Sequence, residues 1–161
     1  MGGDLMIEST YQVIANFIEP HKNEIIEGWY QKEYILTKEY QLRSRYTEFG
    51  KNIKDQVHYM FQQAIETNFN AASLQKLHYQ FGEDRAALST SLEDMRKMIF
   101  SYEEYLLRYL QQAKEINLLT ISYQKLFDFS IAIHSFFTLS FEAILSGYMN
   151  FFISNIRDAF C

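Results

Sequence analysis

From Ser9 onward the apolar positions of the chain recur every three or four residues, the period of helices resting one face on a core. Ser9 and Thr10 precede Val13, Ile14, Phe17 and Ile18, a pattern that predicts a short capped helix stopped near Pro20. Pro20 suits the first turn of the next helix, which carries Ile25, Ile26, Trp29 and Tyr30 on one face and runs to about Thr37. From about Lys38 to Phe69, the residues Tyr46, Phe49, Ile53, Val57, Met60, Phe61, Ala64 and Ile65 keep helical spacing and predict a long helix, bent near its start. Gly28 and Gly50 either are tolerated helix glycines, at about 1 kcal/mol each relative to alanine, or mark a close helix crossing.

Asn70 reads as the N-cap of a shorter helix bearing Leu74, Leu77, His78, Phe81 and Arg85. Thr90-Ser-Leu-Glu93 forms a capping-box pattern ahead of a long helix with Leu92, Met95, Ile99, Tyr102, Leu106, Tyr109, Ala113 and Ile116 on one stripe. Phe100, Leu107 and Leu110 form a second stripe on the same helix. Thr120 opens the last helix, which runs to about Ile156 and is uncharged except for Glu142 between Phe129 and Ile156. A membrane span needs about 20 predominantly apolar residues. His134, Glu142, Asn150 and several serines interrupt every such window, so no membrane span is expected. A helix apolar on most sides is either central to its own core or shared with a second subunit. The second reading is adopted: a homodimer with Phe137, Phe141, Ile144, Leu145 and Tyr148 at the interface, and Tyr102 and Tyr109 opposite.

Length and composition narrow the class. At 161 residues the chain suits one domain, expected over residues 9–161, and 48% hydrophobic content with 17% aromatics excludes a disordered segment. One proline and six glycines are too few for the turns of a sandwich or barrel, leaving an all-α fold. A net charge of −5 without a Lys/Arg cluster argues against nucleic acid as a partner. The lone cysteine, Cys161, leaves no disulfide framework and suits a reducing cytoplasm. Residues 1–8 lack the basic and apolar regions of a signal peptide and are expected to be a disordered tail or cloning scar.

The chemistry of known enzymes is missing from the sequence: there is no P-loop, GxGxxG, HExxH or Ser/His/Asp order, and no pair of Glu-x-x-His units for a di-iron bundle. The four histidines are scattered without metal-ligand spacing, so the domain is read as non-enzymatic and without a metal. His78 and Arg85 stand out because both fall within about 60° of the Leu74 direction, on the apolar face of their helix. They are either a hydrogen-bonded core histidine and a snorkelling or paired arginine, or the basic end of an apolar cavity. Lys54 and His58 flank the apolar stripe of the preceding helix and read as boundary residues. His134, with Ser130, Ser135 and Thr138 amid phenylalanines, needs a partner: a tyrosine, water or an anion.

A short helix, a helix with Ile25-Ile-Glu-Gly-Trp29, a long helix, a short helix with an inward histidine and two very long final helices together resemble the globin fold without its small fourth helix. From about Thr10 to Phe152 the chain is similar to the haem-less globin-like sensor domains of sporulation histidine kinases and of free-standing sporulation-inhibitory proteins, relatives of stressosome co-antagonist N-terminal domains. The resemblance implies a dimer through the last two helices, no haem, and a fatty-acid-like ligand in a hydrophobic tunnel. It also implies inhibition of sporulation by competition for the kinase's signal or partner surface. On this reading Trp29, Ile53, Val57, Phe61, Leu77, Phe81, Ile99 and Ile133 wall the tunnel, with the carboxylate near His78 or Arg85. Two rivals stand beside it: a haem sensor ligated by His78, which matches the proximal position of haem globins, and a ligand-free helical dimerisation module.

Overall fold

The structure, a computed structural model, describes the backbone of residues 2–43 and 47–160 and the side chains of 11–38, 40, 41 and 51–160. Among the described residues every element is helical: α1 (Gly2–Lys32), a 3-10 turn (Tyr34–Leu36), α2 (Lys38–Arg43), α3 (Thr47–Glu66), a 3-10 turn (Ala71–Leu74), α4 (Gln75–Ala87), α5 (Leu92–Glu115) and α6 (Tyr123–Phe160). The all-α expectation is met. The contacts expected of Tyr46, Phe49 and Gly50, and the cap expected at Ser9 and Thr10, lie outside the described side chains.

Pro20 does not stop a helix: α1 passes through it, and residues 2–8, set aside above as a tail, are helical within α1. A proline inside a helix costs about 3 kcal/mol through the lost backbone bond and the ring clash. Ile14, Ile18, Ile25 and Trp29 continue one buried stripe across it, each no more than 3% exposed. Burial of such side chains contributes roughly 1.5–3 kcal/mol apiece, so core packing outweighs the break. The proline itself is exposed.

The core gathers Trp29 and Tyr34 with Met95, Leu106 and Leu110 of α5 and Phe129, Ile133, Phe136 and Phe137 of α6, all fully or almost fully buried. On α6 lies α4, at a crossing that only glycines permit. A β-carbon on Gly82 would fall 1.9 Å from the Ile144 carbonyl oxygen, and one on Gly147 would fall 1.9 Å from that of Tyr79. Ala86 and Ala143, one turn away from each glycine, extend the narrow strip. Gly28 marks no such helix crossing: an added β-carbon there meets the Tyr105 hydroxyl, a side-chain tip and not a helix backbone.

Asn70 caps the 3-10 turn Ala71–Leu74 and not α4 itself, its side chain accepting from the Ala72 N–H at 3.1 Å, and α4 starts from Leu74 without a side-chain cap. The cap of α5 lies one residue later than the capping-box pattern placed it: Ser91 Oγ accepts from the Asp94 N–H at 3.1 Å. Ser89 and Asn117 take the left-handed conformation after α4 and α5, at φ 61° and 63°, in place of the usual glycine. The Thr90 N–H then reaches back to the Arg85 carbonyl at 3.0 Å, and the Leu118 N–H to that of Ala113 at 2.8 Å. Phe69, also left-handed at φ 61°, sets its ring edge-on against Tyr11, Phe129 and Phe136.

Three of the residues expected at an interface are buried within the chain's own fold. Phe137, Ile144 and Tyr102 are 2%, 0% and 4% exposed and belong to the chain's own core. Phe141, Leu145, Tyr109 and Tyr148 are half-buried; Tyr109 donates to Glu24 at 2.8 Å and Tyr148 to the Thr90 carbonyl at 2.9 Å. The outward face of α6 instead carries Tyr123, Phe127, Ile131, Leu139, Met149 and Ile153. By length and composition α6 also suffices to cross a membrane, and 39% of its most apolar window is buried in the fold.

Candidate ligand-binding site

The inner face of α4 presents His78 and Arg85, both buried as the helical spacing requires. His78 lies edge-on to Phe136 at 6.1 Å, and neither of its ring nitrogens has a hydrogen-bond partner. Burial holds its pKa below the ordinary 6.5, so the ring is neutral at pH 7. The guanidinium of Arg85 sits 5.9 Å from the Phe81 ring, and burial lowers its pKa against an opposing contribution from Tyr34. Seven residues of helix separate the two by about 10 Å along the axis. One faces Phe136 and the other Phe81 and Tyr34, so they do not converge on a single point.

Three of the expected tunnel residues do converge. Val57, Phe81 and Ile99 border one apolar void of about 20 Å³, with Met60, Met98, Tyr102 and Phe137 around it and the exposed Gln56 at its outer edge. Trp29, Ile53, Phe61 and Ile133 are buried without lining this void; Trp29 donates its indole N–H to Ser101 Oγ at 2.9 Å. Leu77, at 43% exposed, is not a tunnel wall: the α4 register that turns His78 inward leaves its neighbour outside. Small-molecule pockets run to roughly 300–1,000 Å³, so the void holds little more than a water molecule. Haem needs a free imidazole nitrogen, which His78 offers, but Phe136 covers the ring and the glycine crossing holds α4 against α6. The surroundings of His78 therefore do not fit a porphyrin.

A much larger cavity, about 590 Å³, opens between α1 and α3. Its floor is Ile18, Phe61, Ile65 and Tyr102; its rim carries Gln12, Asn16, Glu19, Lys22, His58 and Gln62. Lys22 pairs with Glu19 at 2.7 Å. Burial, and next Lys22, hold the His58 pKa below its ordinary value, opposed by Asp55 and Glu19. The sequence signal here was the position of His58 at the edge of the apolar stripe, which reads equally as a boundary residue. Lys54, its companion at that edge, is engaged with Glu27 and lies over the Tyr30 ring at 4.4 Å.

The partner of His134 in the fold is a carboxylate: its Nδ1 lies 2.9 Å from Glu103 Oε1, across from α6 to α5. The His134 side chain is largely exposed, whereas that of Glu103 is buried. Burial raises the Glu103 pKa, and the neighbouring His134 pulls it back. The pair borders an open groove of about 690 Å³ whose apolar walls are Leu107, Ile131 and Leu139. Among the described residues no three His, Cys, Asp or Glu side chains gather as a metal site would need. No protein-family model, curated protein or solved structure matches this chain.

Proposed function

We propose that this chain is a non-catalytic cytoplasmic sensor domain that binds an elongated apolar carboxylate, such as a fatty acid. It acts as a homodimer through the outer faces of α5 and α6, and restrains sporulation signalling by competing with the histidine kinase sensor domains it resembles. The observation that carries the ligand reading is the meeting of Val57, Phe81 and Ile99 around one apolar void that Met60 and Met98 also border. Thioether side chains on unbranched stems give way readily to an incoming chain. Each buried methylene contributes roughly 0.8 kcal/mol, so ten supply on the order of 8 kcal/mol before ordering costs are subtracted. A micromolar complex needs about that much, so chains longer than about ten methylenes are expected.

Native mass spectrometry of freshly purified protein should detect a co-purifying mass of a few hundred daltons. Calorimetry on delipidated protein should give saturable binding that tightens from decanoate to hexadecanoate. A clean apo mass together with no heat from any of these acids would remove the ligand and leave an all-helical dimerisation module, whose core is filled by its own side chains.

A further inference from the structure

Two cavities that look separate share one wall. Tyr102 lines both the polar cleft between α1 and α3 and the apolar void among α3, α4, α5 and α6. On α3, Val57 and Met60 border the void while His58, Phe61 and Gln62 border the cleft, so the two spaces lie on adjoining faces of the same helix. The Tyr102 ring is held edge-on by Trp29, with centroids 5.7 Å apart, and by Phe61 at 6.4 Å. Such contacts yield to a side-chain rotation without breaking any ion pair.

We infer that the α1–α3 cleft is the polar mouth of the ligand site and that Tyr102 is the door to its apolar end. A bound carboxylate then lies at Lys22 and His58, and its chain runs past Tyr102 into the core, away from His78 and Arg85. The inference rests on the ligand reading proposed above. Three features of the cleft support it. At about 590 Å³ it has the volume of a ligand pocket, which the void lacks. Its floor of Ile18, Phe61 and Tyr102 is continuous with the apolar lining, while its rim supplies the cation Lys22 and the titratable His58. Neither His78 nor Arg85 borders the cleft or the void.

The charged groups at the mouth are already engaged with one another, so the Lys22 cation reaches a ligand only by leaving Glu19. Lys22 is partly neutralised by Glu19, and His58 faces Lys22, Asp55 and Glu19.

The test is photo-crosslinking with a dodecanoate analogue carrying a diazirine beside the carboxylate, mapped by peptide mass spectrometry, with calorimetry of dodecanoate and its methyl ester in parallel. Adducts on residues 12–22 or 58–62 are expected. Lys22→Glu, at an exposed position, should weaken the acid on the order of tenfold and leave the ester unchanged. Tyr102→Leu should accelerate association of both compounds. Adducts on residues 78–85, with an unaltered affinity in Lys22→Glu, would overturn the placement while leaving the ligand reading intact. Absence of both adduct and heat would remove the reading and this inference with it.

Discussion

Alanine at Gly82 places its methyl group 1.9 Å from the Ile144 carbonyl oxygen, 2.8 Å from the carbonyl carbon and 2.9 Å from the Tyr148 nitrogen. Ordinary van der Waals contact begins near 3.4 Å, so α4 must back away from α6 by about 1.5 Å. No rotamer change relieves this, because every atom in the way is backbone. Overpacking costs about 1–3 kcal/mol, here toward the upper end, and alanine regains about 1 kcal/mol of helix propensity. The expected net loss is about 2 kcal/mol, which for a chain of 161 residues lowers Tm by roughly 4–8 °C. Gly147→Ala opposes Tyr79 and Glu83 backbone atoms across the same gap and should behave alike. Once the helices have parted for one methyl group the second finds room, so the double variant should cost clearly less than the sum of the two. Gly28→Ala is the control: it meets only the Tyr105 ring tip, which can swing aside, and should be neutral or stabilising by up to about 1 kcal/mol. Urea unfolding followed by circular dichroism measures all four. A Gly82→Ala variant as stable as wild type, or strict additivity in the pair, would refute the close crossing.

Burial lowers the pKa of His78 from 6.5. Above that pH folded and unfolded chains both carry a neutral ring and stability is complete. As the pH falls through 6.5 the unfolded chain takes up a proton that the folded chain resists, and stability declines by at most about 1.4 kcal/mol per pH unit. His78→Leu should therefore raise Tm more at pH 5.5 than at pH 8, and equal shifts at both would contradict the assignment. Ser89→Gly relieves a left-handed residue and should stabilise by about 0.5–1 kcal/mol in thermal melts, with Asn117→Gly closer to zero because asparagine tolerates that conformation. Ile131→Glu, on the exposed face of α6, should halve the mass seen by light scattering with helicity unchanged, whereas Phe137→Glu, in the core, should unfold the protein. A wild type already monomeric at micromolar concentration would end the dimer proposal.

Much of this protein was legible in its sequence because helical periodicity is a local property. The three-and-four spacing from Leu92 to Ile116 located α5 to within a residue, and the same arithmetic turned His78 and Arg85 inward. It also marked Ile53, Val57 and Phe61 as core. Periodicity fails where a helix is apolar on every side. Around α6 the pattern has no phase, so Phe137 and Ile144 could be assigned to an interface while the exposed stripe through Phe127, Ile131 and Leu139 went unmarked.

What tertiary structure alone decided are relations between distant residues. Pro20 reads as a breaker until the core face that continues across it is known. Gly82 and Gly147 are ordinary helix glycines until the crossing of α4 on α6 makes each the only residue that fits. The α1–α3 cleft exists because Ile18, Phe61 and Tyr102 meet at its floor, and no local pattern joins them. Spacing along one helix fixes which way a side chain points, but the neighbour it meets depends on how separate helices dock, a choice made by the summed packing of the whole core.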